Sequence, residues 1–116
     1  MNMTAGRLRH RLRVEQQVKT KNALGETSIA WQTVDTYWCE IRPLSSRELL
    51  ASEQIQSEVD TLIVMRYNTT VKASMRAVHV ENGVDGTVYN LKAPIRDPES
   101  GRDWISIPAT SLLNVG

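Results

Sequence analysis

The chain has 116 residues, with 14 Lys and Arg against 13 Asp and Glu and a formal charge of +1. That length suits one domain, 1–116, and a compact fold of this size has a radius of gyration of roughly 13 Å. The apolar share of 41% excludes wholesale disorder, the single cysteine excludes an internal disulfide, and the near-neutral total argues against a generic polyanion binder. No apolar run approaches the roughly 20 residues that span a bilayer, and no apolar stretch follows the basic N-terminus as a secretory signal requires. The expected compartment is a reducing cytoplasm.

In chain order, residues 8–18 (LRHRLRVEQQV) read as the first strand. Arg7, Arg9, Arg11 and Arg13 alternate here with no acid before Glu15, so residues 1–13 carry +4 from side chains and the remainder −3. In a strand, a spacing of two puts all four arginines on one face, opposite Leu8, His10, Leu12 and Val14. Such a row is either a solvated, aggregation-resistant edge or a contact face for phosphates or an acidic partner. Residues 20–27 (TKNALGET) are polar and contain Gly25, which predicts a connecting loop that is a second candidate contact. Residues 29–34 (IAWQTV) and 37–41 (YWCEI) predict two short strands, with Pro43 ending the second.

The pattern then changes. Ser45 and Glu48 have capping-box spacing, with Leu44 and Leu49 placed as a hydrophobic staple, and SRELLASEQIQS is rich in helix formers. This predicts the chain's one short α-helix. Its apolar residues are few, and Arg47, Glu48, Glu53 and Glu58 give residues 45–58 a net charge of −2. The segment is expected to project toward a channel or a neighbour.

Residues 59–67 (VDTLIVMRY), 75–80 (MRAVHV) and 87–91 (TVYNL) follow as strands, with Gly83, Asp85 and Gly86 supplying a hairpin turn. Residues 97–101 (DPESG) are turn-rich, and 104–107 (WISI) form a last strand before Pro108. Six or seven short strands and one helix predict a mainly β protein, a small antiparallel β-barrel or sandwich whose edges invite strand addition by neighbours.

Nothing in the sequence calls for catalysis, a cofactor or a metal. There is no phosphate-binding glycine loop, and Cys39, His10 and His79 lack zinc-ligand spacing. Cys39 beside Trp38 reads as a core thiol, and His79 as a solvent-facing or hydrogen-bonded structural residue. Asp97, Glu99 and Asp103 miss the calcium-loop pattern and read as an ordinary acidic turn that Arg96 and Arg102 neutralise.

Several tracts together resemble the phage head–tail joining family, also called head-completion or stopper proteins. They are AGRLRHRLRVEQ at 5–16, Gly25 and Trp31, YWCEIRPLSSRELLASEQ at 37–54, MRY at 65–67, MRAVH at 75–79 and GTVYNLKAPIRDPES at 86–100, with an aromatic strand closing the chain. Cys39 takes the family's usual small-residue place and Ser46 its usual glycine place, which favours a capped helix over a flexible bend. The resemblance implies a non-enzymatic small β-barrel that assembles as a homo-oligomeric ring beneath the portal and adaptor complex. That ring closes the DNA-filled head and offers the tail proteins a docking surface. Double-stranded DNA passes without sequence recognition, and neither a membrane nor a small-molecule substrate is implied. The protein would occupy the host cytoplasm during assembly and the head–tail junction of the virion. The candidate partner face is Arg7, Arg9, Arg11 and Arg13; the candidate channel or neighbour segment is Ser45, Arg47, Glu48, Glu53 and Glu58. Alternative readings are a tail-completion or minor tail protein, or an OB-like nucleic-acid-binding barrel, which would need a basic groove with aromatic stacking platforms.

Overall fold

The structure, a computed structural model, describes residues 5–44 and 59–112. A single 3-10 turn (Ala5–Arg7) precedes seven strands: β1 (His10–Lys21), β2 (Thr27–Pro43), β3 (Thr61–Arg66), β4 (Arg76–Glu81), β5 (Val84–Leu91), β6 (Ile95–Arg96) and β7 (Trp104–Leu112). All pairings are antiparallel. The order is β3-β2-β1-β4-β5-β7-β6, and a further β3–β7 pairing closes the hydrogen bonding into a ring. The mainly β expectation therefore holds. The expected helix falls within residues 45–58, outside the described residues.

Strand β6 continues β5. Leu91 pairs with Ala109 of β7, and Ile95 with Ser106. At the same level β3 occupies the other side of β7, with Val64 opposite Ser106. Pro108 lies inside β7, not beyond its end as the sequence suggested. Its carbonyl accepts from Lys92 N–H (2.9 Å), so the amide it lacks would face the gap between β5 and β6. There the missing N–H breaks no ladder bond.

Period-two alternation turns one set of side chains inward. Leu12 and Val14 of β1, Cys39 of β2, Ile63 and Met65 of β3, Tyr89 and Leu91 of β5, and Ile105 and Ile107 of β7 form one buried cluster. The ring encloses packed apolar side chains, each contributing roughly 1.5–3 kcal/mol on burial.

Two expectations are corrected by the first hairpin. The tracts 29–34 and 37–41 are one continuous 17-residue strand. The predicted 20–27 loop shrinks to a turn, because β1 runs to Lys21 and β2 starts at Thr27. Similarly, the second hairpin turns at Asn82 and Gly83, both with positive φ (53° and 77°), while Asp85 and Gly86 lie inside β5.

The long hairpin outgrows the ring. Strand β4 accompanies β1 only from Arg11 to Glu15, and β3 accompanies β2 only from Cys39 onward. Beyond those points, among the described residues, β1 and β2 pair only with each other, residues 16–21 with 27–32, as an arm about 20 Å long at 3.3–3.4 Å per residue. The described residues accordingly span 52 × 29 × 28 Å, and the radius of gyration is 15.5 Å, above the compact expectation.

Candidate functional site

The arm begins at an irregularity. Val14 pairs with Asp35 but Glu15 pairs with Thr33, so Val34 is an extra residue that bulges β2. Bulges increase local twist and re-aim the strands that follow. At this joint Glu15 is buried (6% exposed) yet charged. It accepts from Arg13 Nε (3.1 Å) and from Arg76 Nε (2.6 Å). The Arg76 guanidinium in turn lies 4.3 Å from the Trp31 ring centroid. Glu15 thus links β1 to β4, and Arg76 links β4 to the arm. A cleft of about 350 Å³ opens beside this joint, with Gln17 and Trp31 on the arm side and Met75, Asn90 and Leu91 on the ring side.

Past the joint the side chains of both faces reach solvent. Ile29 is 58% exposed and Leu24, at the tip, 84%. The tip is ordered by Asn22, whose Oδ1 accepts from the amides of Leu24 and Glu26 (both 2.9 Å). Gly25, at φ +83°, takes the left-handed conformation that this turn needs. Near the tip the Thr20 and Ser28 hydroxyls bond across the strands at 2.8 Å.

The arginine row is divided by the backbone. The strand starts at His10, so only Arg11 and Arg13 share a strand face, while Arg7 belongs to the 3-10 turn. Arg9 Nε donates to the Gly6 carbonyl (2.9 Å). Arg11 lies over its cross-strand partner Trp38, 4.7 Å from the ring centroid. Arg13 grips Asp85 with two bonds of 2.8 and 3.0 Å, which raise the guanidinium's already high pKa and hold the Asp85 carboxyl below its ordinary value. Three of the four side chains therefore have a partner. Arg7, Arg9, His10 and Glu40 line a shallow recess of about 220 Å³ at this end. The second candidate set, Ser45, Arg47, Glu48, Glu53 and Glu58, lies outside the described residues.

The remaining polar residues singled out in the sequence serve structure. Asp97 sits beneath its own turn, accepting from Ser100 Oγ (2.7 Å) and from the amides of Ser100, Glu99 and Asp103. Those bonds hold its carboxyl far below the ordinary range. Cys39 is fully buried, and burial pushes its thiol up to about 12, the opposite of an activated nucleophile. His79 meets His10 edge to face at 5.0 Å.

Sequence reasoning missed Glu15, Arg76 and Trp31 as a unit. The sequence signal was present in the strand position of a glutamate flanked by Val14, but Arg76, which ties it to β4, lies 61 residues further along the chain.

Comparison with known proteins decides the family. A family model described as phage head completion protein matches residues 3–112. The chain belongs to that family. As a head completion protein it is a structural component of the phage head. No curated protein sequence matches this one. Among solved structures, protein SF1141 from Shigella flexneri 2a is similar, at 24% identity and a TM-score of 0.78, covering 97% of this chain and 99% of that one. A chain from the virion of a native gene transfer agent particle is similar at 18% identity and a TM-score of 0.53, covering 88% of this chain and 93% of that one. At these identities both show a shared fold.

Proposed function

We propose that this head completion protein assembles as a homo-oligomeric ring in the head–tail connector, closes the DNA-filled head and presents the surface on which the tail docks. The observation that carries this reading is the filled interior of the sheet ring in a protein of the head completion family. Apolar side chains pack the centre of each subunit, so a DNA passage has to lie between copies, not through one. A packed β-ring is also a rigid body, suited to bearing the load of compressed DNA. DNA passes without sequence recognition, held by steric closure.

The partners in this reading are the portal and adaptor complex on one side and tail proteins on the other. Of the arginine row, Arg7, Arg9 and Arg11 are proposed to offer charge to an acidic partner, whereas Arg13 is held by Asp85 and Glu15. The segment 45–58, with its net −2, is proposed to reach the channel or a neighbour. Unchanged DNA retention and ejection after Glu48, Glu53 and Glu58 are replaced by Lys would remove it from the channel.

Electron microscopy of particles made without this gene tests the function. Full-sized, tailless heads that lose DNA, beside separate finished tails, are the expected result. Normal DNA-filled heads with aberrant tails would move the protein to the tail pathway, and intact infectious particles would reject the proposal.

A further inference from the structure

The two edges of the arm are built differently. Along β1, residues 16–21 (QQVKTK) lie beyond the last β4 partner and carry Lys19 and Lys21. Lysines on an edge discourage pairing with an unwanted strand. Along β2, residues 27–38 (TSIAWQTVDTYW) precede the first β3 partner. That stretch has no lysine and no proline, and Asp35 is its single charged residue. It is dense in β-branched and aromatic residues, the composition of a strand that pairs well. Among the described residues no strand covers it. Residues 27–32 of this edge lie in the two-stranded arm, residues 33–38 run on beside the ring, and the bulge at Val34 lies at their boundary. A two-stranded projection is marginal in water alone, and its free edge acts as a template for another chain.

We infer that the open β2 edge, residues 27–38, which runs from the arm down beside the ring, receives the β1 edge, residues 16–21, of a second copy of this chain. Charge selects the occupant. The donated edge brings Lys19 and Lys21, and the receiving side presents Asp35 beside the ring and Glu26 at the turn, about 30 Å apart, so a given register sets the lysines against one of the two. Two β2 edges meeting each other would instead place acid against acid. The donating and receiving edges lie on opposite sides of the arm, because each is the side that the hairpin partner leaves free. Each copy therefore donates on one side and receives on the other. This head-to-tail contact generates closed rings when the rotation between copies closes. The inference rests on the ring assembly proposed above and supplies its subunit contact. Backbone hydrogen bonds provide the pairing, and the alternate side chains, with Ile29 and Trp31 on one face, provide the register.

Zero-length carbodiimide cross-linking of assembled particles tests it, since this reagent joins an amine to a carboxylate only when the two are in contact. The expected product is a ladder of covalent multimers of this chain on a denaturing gel, with Lys19 or Lys21 joined to Asp35 or Glu26. Linkage within one arm leaves the gel mobility unchanged. The double variant Lys19→Arg/Lys21→Arg keeps the charge but removes the reactive amines, and is expected to reduce the ladder at least about tenfold. The double variant Lys19→Glu/Lys21→Glu is expected to lower incorporation into particles, and Glu26→Lys/Asp35→Lys in the same chain to restore it. Particles that contain the chain but yield no ladder, an unchanged ladder from the arginine variant, or cross-links only to other virion proteins overturn the arm pairing and leave the head-closing role standing. Absence of the chain from particles overturns that role instead, and the same cross-linking of the concentrated purified chain then decides the arm pairing.

Discussion

Strands β1 and β2 form two different kinds of structure within one hairpin. From Arg11 to Glu15, β1 lies between β2 and β4 and buries Leu12 and Val14 completely. From Gln16 to Lys21 the same strand, still paired with β2, has no second strand beside it among the described residues and no buried side chain. Hydrogen bonding is continuous across the boundary apart from the single bulge, so backbone pairing does not distinguish the halves. The difference is the third strand and the apolar face it covers. Stability resides in the ring, and the arm is carried by it, oriented through Glu15, Arg76 and Trp31.

That contrast predicts unequal responses to mutation. Ile63→Ala in the ring removes a fully buried side chain. It is expected to cost about 2–5 kcal/mol in urea unfolding. Ile29→Ala in the arm is expected to change stability by less than about 0.5 kcal/mol. Equal costs would dissolve the distinction. At the joint, Glu15→Gln removes the charge shared by Arg13 and Arg76, both partly exposed. An intermediate loss of about 1–3 kcal/mol is expected, because hydrogen bonds to charged groups contribute in that range and a buried partner is left poorly satisfied. Nitrogen-15 relaxation should then show a looser arm on an intact ring.

Acid titration separates the ring's polar turns from both halves of the hairpin. The folded-state carboxyls of Asp97 and Asp60 lie below their ordinary values. For Asp97 the cause is the set of donors from Ser100 and its neighbours. For Asp60, burial pushes the carboxyl up, but bonds from Ser111 and Thr61 outweigh it. Both therefore contribute stability that is fully present above the unfolded value of about 3.9 and is lost as pH falls through the folded value. Asp97→Asn is expected to lower stability at neutral pH and to flatten its decline below about pH 4. A parallel pH profile would contradict the role given to Asp97. The smallest effect concerns Cys39. Its thiol is expected to react with an alkylating reagent only as fast as the ring opens, and labelling at the rate of a free thiol would show that the ring's core is accessible.

The ring was largely legible in the sequence because its signals are local. The alternation of Leu12 and Val14 and the apolar run from Leu62 to Met65 each occupy a few adjacent residues, and Gly83 marked the second hairpin even though Asp85 and Gly86 proved to lie inside β5. The arm was not legible, because it is defined by where β3 and β4 stop, which is a property of partners elsewhere in the chain. Asp35 and the bulge at Val34 interrupted the alternation of β2 and made one strand read as two. Pro108 read as a strand end because its tolerance depends on the gap between β5 and β6. The arginine spacing was visible, but the bond from Arg13 to Asp85 spans 72 residues and only the folded chain brings them together. The phage-head family was legible through the order of several short tracts, none of which carries it alone.

Amide hydrogen exchange, compared between the free chain and assembled particles, tests the division of labour most directly. In the free chain, ring amides such as those of Leu12, Ile63 and Ile107 should exchange slowly, and outward-facing amides within residues 27–38 rapidly. In particles the ring amides should be unchanged and the β2-edge amides strongly protected. Arm amides that exchange at the same rate in both states would contradict the account, since the arm would then have no partner to meet.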